Sequence, residues 1–170
     1  MKRVQTIFLI CLFLAASLMA TFADAAMIRV ISRHGKWTVQ SDCTSVYAMS
    51  SSDSTPYSQG FRTGLGMSCN NGYYGIPKIR VNWAGDLKIG PKSQFKFKLA
   101  GNDLSDGWIC EKHFCTPKDD DSAAKILEQL LANEGPFAVI ITDENKTVLE
   151  ETIDTTGING AYQALLEHRR

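Results

Sequence analysis

A mostly β, α+β fold is what this sequence predicts, an antiparallel β-sandwich or partly open barrel with two short helices near the C-terminus. Three observations carry that expectation. Apolar and polar residues alternate with period two in several short runs between Trp37 and Cys115, as in half-buried strands. After Asp119-Asp120-Asp121 the apolar spacing changes to intervals of three and four, the mark of an amphipathic helix. Neither an internal repeat nor a low-complexity linker divides the chain, so these elements belong to one domain.

That domain follows an export leader. Lys2 and Arg3 open a basic stub, Ile7 to Ala16 is apolar, and Ala23-Asp24-Ala25 offers small residues at the positions a signal peptidase reads. Residues 1–25 are therefore expected to be a signal peptide cleaved after Ala25, leaving a β-rich domain over 26–170. The apolar run is too short to span a bilayer, and no later stretch approaches the roughly 20 residues a span needs, so the mature protein is expected to lack a transmembrane segment. Eighteen basic and eighteen acidic residues give a formal net charge of zero, which argues against a nucleic-acid partner.

The elements follow in order. Ile28, Val30 and Ile31 lead into the polar turn Arg33–Lys36, and Trp37, Val39 and Ser41 alternate with Thr38 and Gln40 as a strand. Cys43 to Met49 continues in extended form, and Ser50 to Gly60, rich in Ser, Asp and Pro, reads as a surface loop. Leu65 to Cys69 is a short strand before the turn Asn70-Asn71-Gly72. Ile79, Val81 and Trp83 alternate with Lys78, Arg80 and Asn82; Phe95, Phe97 and Leu99 alternate with Lys96 and Lys98. Trp108 to Cys110 begins a strand that returns at Cys115. Ala123, Ile126, Leu127, Leu130 and Leu131 mark a helix face capped by Asp121 or Ser122 and ended by Gly135-Pro136. The strand Phe137–Thr142, a turn at Asp143–Lys146, the strand Thr147–Ile153 and a helix from Ile158 to Glu167 complete the chain.

Five cysteines are present, and Cys11 falls in the leader. Cys43, Cys69, Cys110 and Cys115 remain for an oxidising compartment, where disulfides persist. Cys110 and Cys115 enclose Glu111-Lys112-His113-Phe114, a hairpin loop that sets them opposite one another, so Cys110–Cys115 is the first pairing expected. Cys43–Cys69 is the remainder, although spacing alone leaves the other pairings open. A zinc site of Cys110, His113 and Cys115 is less expected, because no second ligand pair accompanies it. A redox pair is less expected too, because four residues separate the cysteines and strands flank them.

No catalytic residue, metal site or cofactor is predicted. A general base needs a nucleophile or second titrating group held nearby, and none is evident beside His34 or His113, which are expected on exposed turns. Gly60, Gly64 and Gly66 are read as turn glycines. The triple aspartate is read as helix capping, not as a calcium loop, whose alternating ligands it lacks. The basic stretch is more informative. Lys78, Arg80, Lys88, Lys92, Lys96 and Lys98 face a single anion, Asp86, and on paired strands would share one wet face. Such a patch can attract anionic lipid or acidic glycan, or simply keep a sheet edge soluble. Lys92, Lys96 and Lys98 are candidate binding residues.

Four local features resemble the invasion-associated locus B family of bacterial periplasmic or surface proteins. They are Gly35-Lys36-Trp37-Thr38-Val39 followed by Cys43; the hairpin Gly107-Trp108-Ile109-Cys110-Glu111-Lys112-His113-Phe114-Cys115; the helix Ala123–Ala132 followed by Gly135 and Phe137–Thr142; and the ending Thr155–Leu165. The likeness is carried mainly from Gly107 onward. Cys43 lies further from Trp37 than in the family pattern, and Ser50 to Gly90 has no counterpart. The resemblance implies a small β-sandwich with flanking helices, no catalytic residues, and a part in host interaction or envelope function.

The expected protein is thus a non-enzymatic binding protein of the periplasm or cell exterior, with an unidentified protein or envelope component as partner. The alternative is a periplasmic inhibitor or immunity protein that blocks an envelope-targeting hydrolase. Its plug would be the Cys110–Cys115 hairpin, tipped by Lys112, His113 and Phe114.

Overall fold

The computed structural model describes residues 28–42, 44–52, 63–70 and 75–169. The first strands are β1 (Arg29–His34), β2 (Trp37–Ser41), β3 (Ser45–Ser51), β4 (Thr63–Asn70) and β5 (Lys78–Trp83). Then come β6 (Gln94–Leu99), β7 (Asn102–Asp103), β8 (Trp108–Glu111) and β9 (Phe114–Pro117). Helix α1 (Asp120–Ala132), β10 (Pro136–Thr142), β11 (Val148–Asp154) and α2 (Ile158–His168) complete the order. The expected leader, Cys43, most of the Ser-rich loop and Asn71-Gly72 lie outside the described residues.

The strands form two separate antiparallel sheets, so the fold is a sandwich and not a barrel. One sheet has seven strands in the order β1-β2-β3-β4-β5-β9-β8, the other four in the order β11-β10-β6-β7. The alternation seen in sequence sets the two faces. Ile79, Val81 and Trp83 of β5 are buried while Lys78 and Arg80 are exposed, and Phe97 and Leu99 of β6 are buried while Lys96 and Lys98 are exposed. The small sheet and both helices lie against the inner face of the large one. α2 packs on β1, β2 and β3, and α1 packs on β9 and β5. One hydrophobic cluster draws from all these layers, including Trp37, Leu65, Phe97, Leu130, Phe137 and Leu165. Phe97 stacks on Phe137 at 5.9 Å between ring centres and meets Trp108 at 4.8 Å. Burying each such large side chain stabilises the fold by about 1.5–3 kcal/mol.

Several expectations change at the level of elements. α1 begins earlier than predicted: Asp119, not Asp121 or Ser122, is the cap, its carboxylate accepting from the Ser122 backbone N–H at 2.7 Å, because Asp120 and Asp121 already occupy the first turn. Ser50 and Ser51 belong to β3, and the Ser50 hydroxyl donates to the Asp154 carbonyl at 2.9 Å. Gly64 and Gly66 are not turn residues; both lie inside β4. The basic stretch is divided, because β5 and β6 enter different sheets and place Lys78 and Arg80 far in topology from Lys96 and Lys98.

The β1–β2 turn and the start of α2 meet at two glycines. Gly35 (φ +57°) and Gly157 (φ +91°) are both left-handed, and a Cβ on either would run into the other segment's backbone, at the Thr156 and His34 carbonyls respectively. Beneath this crossing the Trp37 indole N–H donates to the Thr155 carbonyl at 3.2 Å.

Candidate functional site

No described helix or strand covers the outer face of the seven-stranded sheet, and a groove of about 650 Å³ runs across it. The strand register builds the groove row by row. Met49, Gly66 and Arg80 are neighbours across β3, β4 and β5; Tyr47, Ser68 and Lys78 form the next row. Side chains of β3 make one wall. Lys78 and Arg80 make the other, and the glycine and serine of β4 leave the floor low. Thr116 of β9 and Lys118, Asp119 and Asp120 at the start of α1 close one end.

Gly66 is the residue that shapes this site. A glycine inside a strand costs roughly 0.5–1 kcal/mol relative to alanine and marks a bulge, a bend or a close approach by something else. The register through Gly66 is unbroken on both sides, which removes the bulge. A Cβ there would meet only the Ala48 carbonyl at 3.6 Å and the Met49 Cγ at 3.7 Å, ordinary contacts, so the fold itself does not demand glycine.

The charges around the groove are held in place differently. The Arg80 guanidinium lies 4.4 Å from the Phe114 ring centre, a cation–π contact that restrains the side chain. Lys78 and Lys118 are exposed. Asp119 is committed to its helix: hydrogen bonds from the Ser122 hydroxyl and backbone N–H hold its carboxyl below the usual carboxylate range.

The sequence-predicted binding residues fall on other surfaces. Lys92, Lys96 and Lys98 are exposed on or just before β6 in the small sheet. Asp103 stands directly opposite Lys98. Its carboxyl is lowered mainly by the Ser105 hydroxyl and backbone N–H, and further by Lys98 and Lys96, so this patch carries its own counter-charge. Lys112 and His113 are exposed at the hairpin tip. Phe114 is not part of that tip; it begins β9, pairs with Asn82, and supports Arg80 from below.

Cys110 and Cys115 are direct register partners joined by a disulfide, with Cα atoms 4.0 Å apart. Cys69, on the buried face of β4 opposite Val46, has no disulfide partner among the described residues, and burial pushes its pKa up. Its expected partner Cys43 lies outside the described residues, so of the two expected bridges the described structure contains Cys110–Cys115.

His34 is half-buried at the end of β1 rather than on an exposed turn, and it does have a nucleophile nearby: Ser32 Oγ lies 3.0 Å from its Nε2. Residues two apart on a strand share a face, a signal legible in Ser32-Arg33-His34. The ring's Nδ1 side faces the backbone of α2 at Gly160. Among the described residues no carboxylate bonds Nδ1, so the pair lacks the orienting group of a catalytic triad. Ser52 Oγ, Thr63 Oγ1 and Trp83 Nε1 are buried without hydrogen-bond partners among the described residues, at the far end of β3–β5 from Lys78. Among the described residues no group of three or more His, Cys, Asp or Glu side chains is placed to hold a metal ion. No described helix is long and apolar enough to cross a membrane.

No family model, curated protein or solved structure matches this chain.

Proposed function

We propose that this chain is an exported, non-catalytic binding protein of a bacterial envelope, periplasmic or surface-exposed, that receives its ligand on the outer face of the seven-stranded sheet. The observation that carries this reading is Gly66: an unbroken strand keeps a destabilising glycine where a side chain would fit, and the space so left is the floor of the groove. The leader-like residues 1–25 and the Cys110–Cys115 disulfide both suit an oxidising, extracytoplasmic location. The resemblance to the invasion-associated locus B family points to the same compartment and rests on its four local features.

A second reading, an inhibitor or immunity protein acting through its hairpin, is favoured by one observation. Lys112 and His113 are exposed on a tip whose base is clamped by Cys110–Cys115, a preorganised loop of the kind that fills a cleft.

One experiment separates the two. Wild type, Gly66→Val and the double variant Lys112→Ala/His113→Ala are passed over immobilised envelope extract, and each is melted in parallel. Gly66→Val is expected to keep its melting temperature and lose retention, while the hairpin variant is retained like wild type. Retention lost only in the hairpin variant would replace the groove by the plug.

A further inference from the structure

The groove's unused chemistry is specific enough to name a ligand class. Lys78, Arg80 and Lys118 are all exposed, and among the described residues none of them forms an ion pair. The half-buried side chains of Ser68, Asn82 and Thr116, which also line the groove, make no hydrogen bond among the described residues. Lys78 and Arg80 therefore stand beside hydroxyl and amide groups without partners, in a concavity large enough for a few sugar rings, while Asp119 and Asp120 line its end beside Lys118.

We infer that the groove recognises an acidic oligosaccharide, a sugar chain bearing carboxylate, sulfate or phosphate groups, with Arg80 and Lys78 meeting its charges and Ser68, Asn82 and Thr116 its hydroxyls. This rests on the groove being the binding surface. Arg80 is the anchor: the Phe114 ring restrains it, and a guanidinium can give a forked hydrogen bond to an anionic oxygen pair.

Other anionic partners fit less well. β3, β4 and β5 are each paired on both sides, so an extended acidic peptide finds no free backbone to bond and the surface can be read only by side chains. An anionic bilayer is flat, whereas Ser68 and Gly66 lie at the bottom of a groove between walls. A formal net charge of zero lacks the basic excess that nucleic acids require.

The test is titration calorimetry of the wild-type protein with four probes: oligogalacturonate, a heparin-derived oligosaccharide, a maltooligosaccharide of similar length, and poly-Glu. Binding to at least one acidic sugar is expected, weakening with salt, with maltooligosaccharide and poly-Glu both weaker. The first two probes distinguish carboxylate from sulfate as the anionic group. Arg80→Gln and Lys78→Gln should each weaken that binding about tenfold, the loss of one charge-assisted contact. Because Arg80→Gln also removes the Phe114 contact, Lys78→Gln, exposed and free of such a role, is the deciding variant. Lys96→Gln on the other sheet should bind as wild type. No acidic sugar bound, maltooligosaccharide bound equally, or unchanged affinity in Lys78→Gln overturns the inference. Tighter binding of poly-Glu, sensitive to Lys78→Gln, would overturn the sugar class while leaving the groove as the binding surface.

Discussion

Two glycines with different jobs show how much a single residue decides. Gly157 has φ +91° and sits against the His34 carbonyl, so an added methyl there is both strained and blocked by backbone. Gly66 has neither problem. Gly157→Ala is therefore expected to destabilise the protein by about 2 kcal/mol or more, whereas Gly66→Ala should be neutral or slightly stabilising. Chemical denaturation of the two variants checks this, and equal losses would contradict it. Neither role was legible in sequence. Gly64 and Gly66 look like turn glycines until the neighbouring strands are known, and Gly157 needs His34, far away in the chain, to explain it. Phe114 is a similar case: adjacent to the hairpin tip in sequence, it belongs in space to Arg80, two strands away from β8.

At the scale of elements, the two helices are tied together by one carboxylate. Glu134, just past α1, accepts from the backbone N–H groups of Gly157 at 3.2 Å and Asn159 at 3.3 Å, and from the Asn159 amide at 3.0 Å. It caps α2, whose own cap residue Gly157 has no side chain to do so. The Asn159 amide, then the Gly157 N–H, hold the Glu134 carboxyl below its ordinary value of 4.5. A carboxyl lowered on folding stabilises the native state above its unfolded value, and that contribution fades as pH falls through the folded one. Stability should thus decline below about pH 4.5, and Glu134→Gln should be less stable at neutral pH with a shallower acid-side decline. Melting temperatures measured from pH 7 to pH 3 test this; parallel curves for variant and wild type would contradict it. Element identity was the legible part of this chain. Lys78–Trp83 and Gln94–Leu99 announce themselves because alternate side chains must face opposite sides of a sheet. Which strands pair is set by contacts remote in sequence, which is why the lysines of β5 and β6 look like one patch and are two.

For the molecule as a whole, the sandwich is asymmetric. The large sheet gives its inner face to the smaller sheet and both helices, and no described element lies on its outer face. The disulfide braces β8 to β9 at that sheet's edge, next to the strand that carries Arg80. A disulfide-braced sheet with a groove on its outer face is the physical basis for proposing that this chain is a binding protein. The surface in use can be located without knowing the ligand. Lysine acetylation rates, read by mass spectrometry with and without envelope extract, report it directly. The account predicts that extract slows the reaction of Lys78 and Lys118 and leaves Lys92, Lys96, Lys98 and Lys112 unchanged. Unaltered rates at Lys78 and Lys118, with protection at the small-sheet lysines or at Lys112, would contradict it.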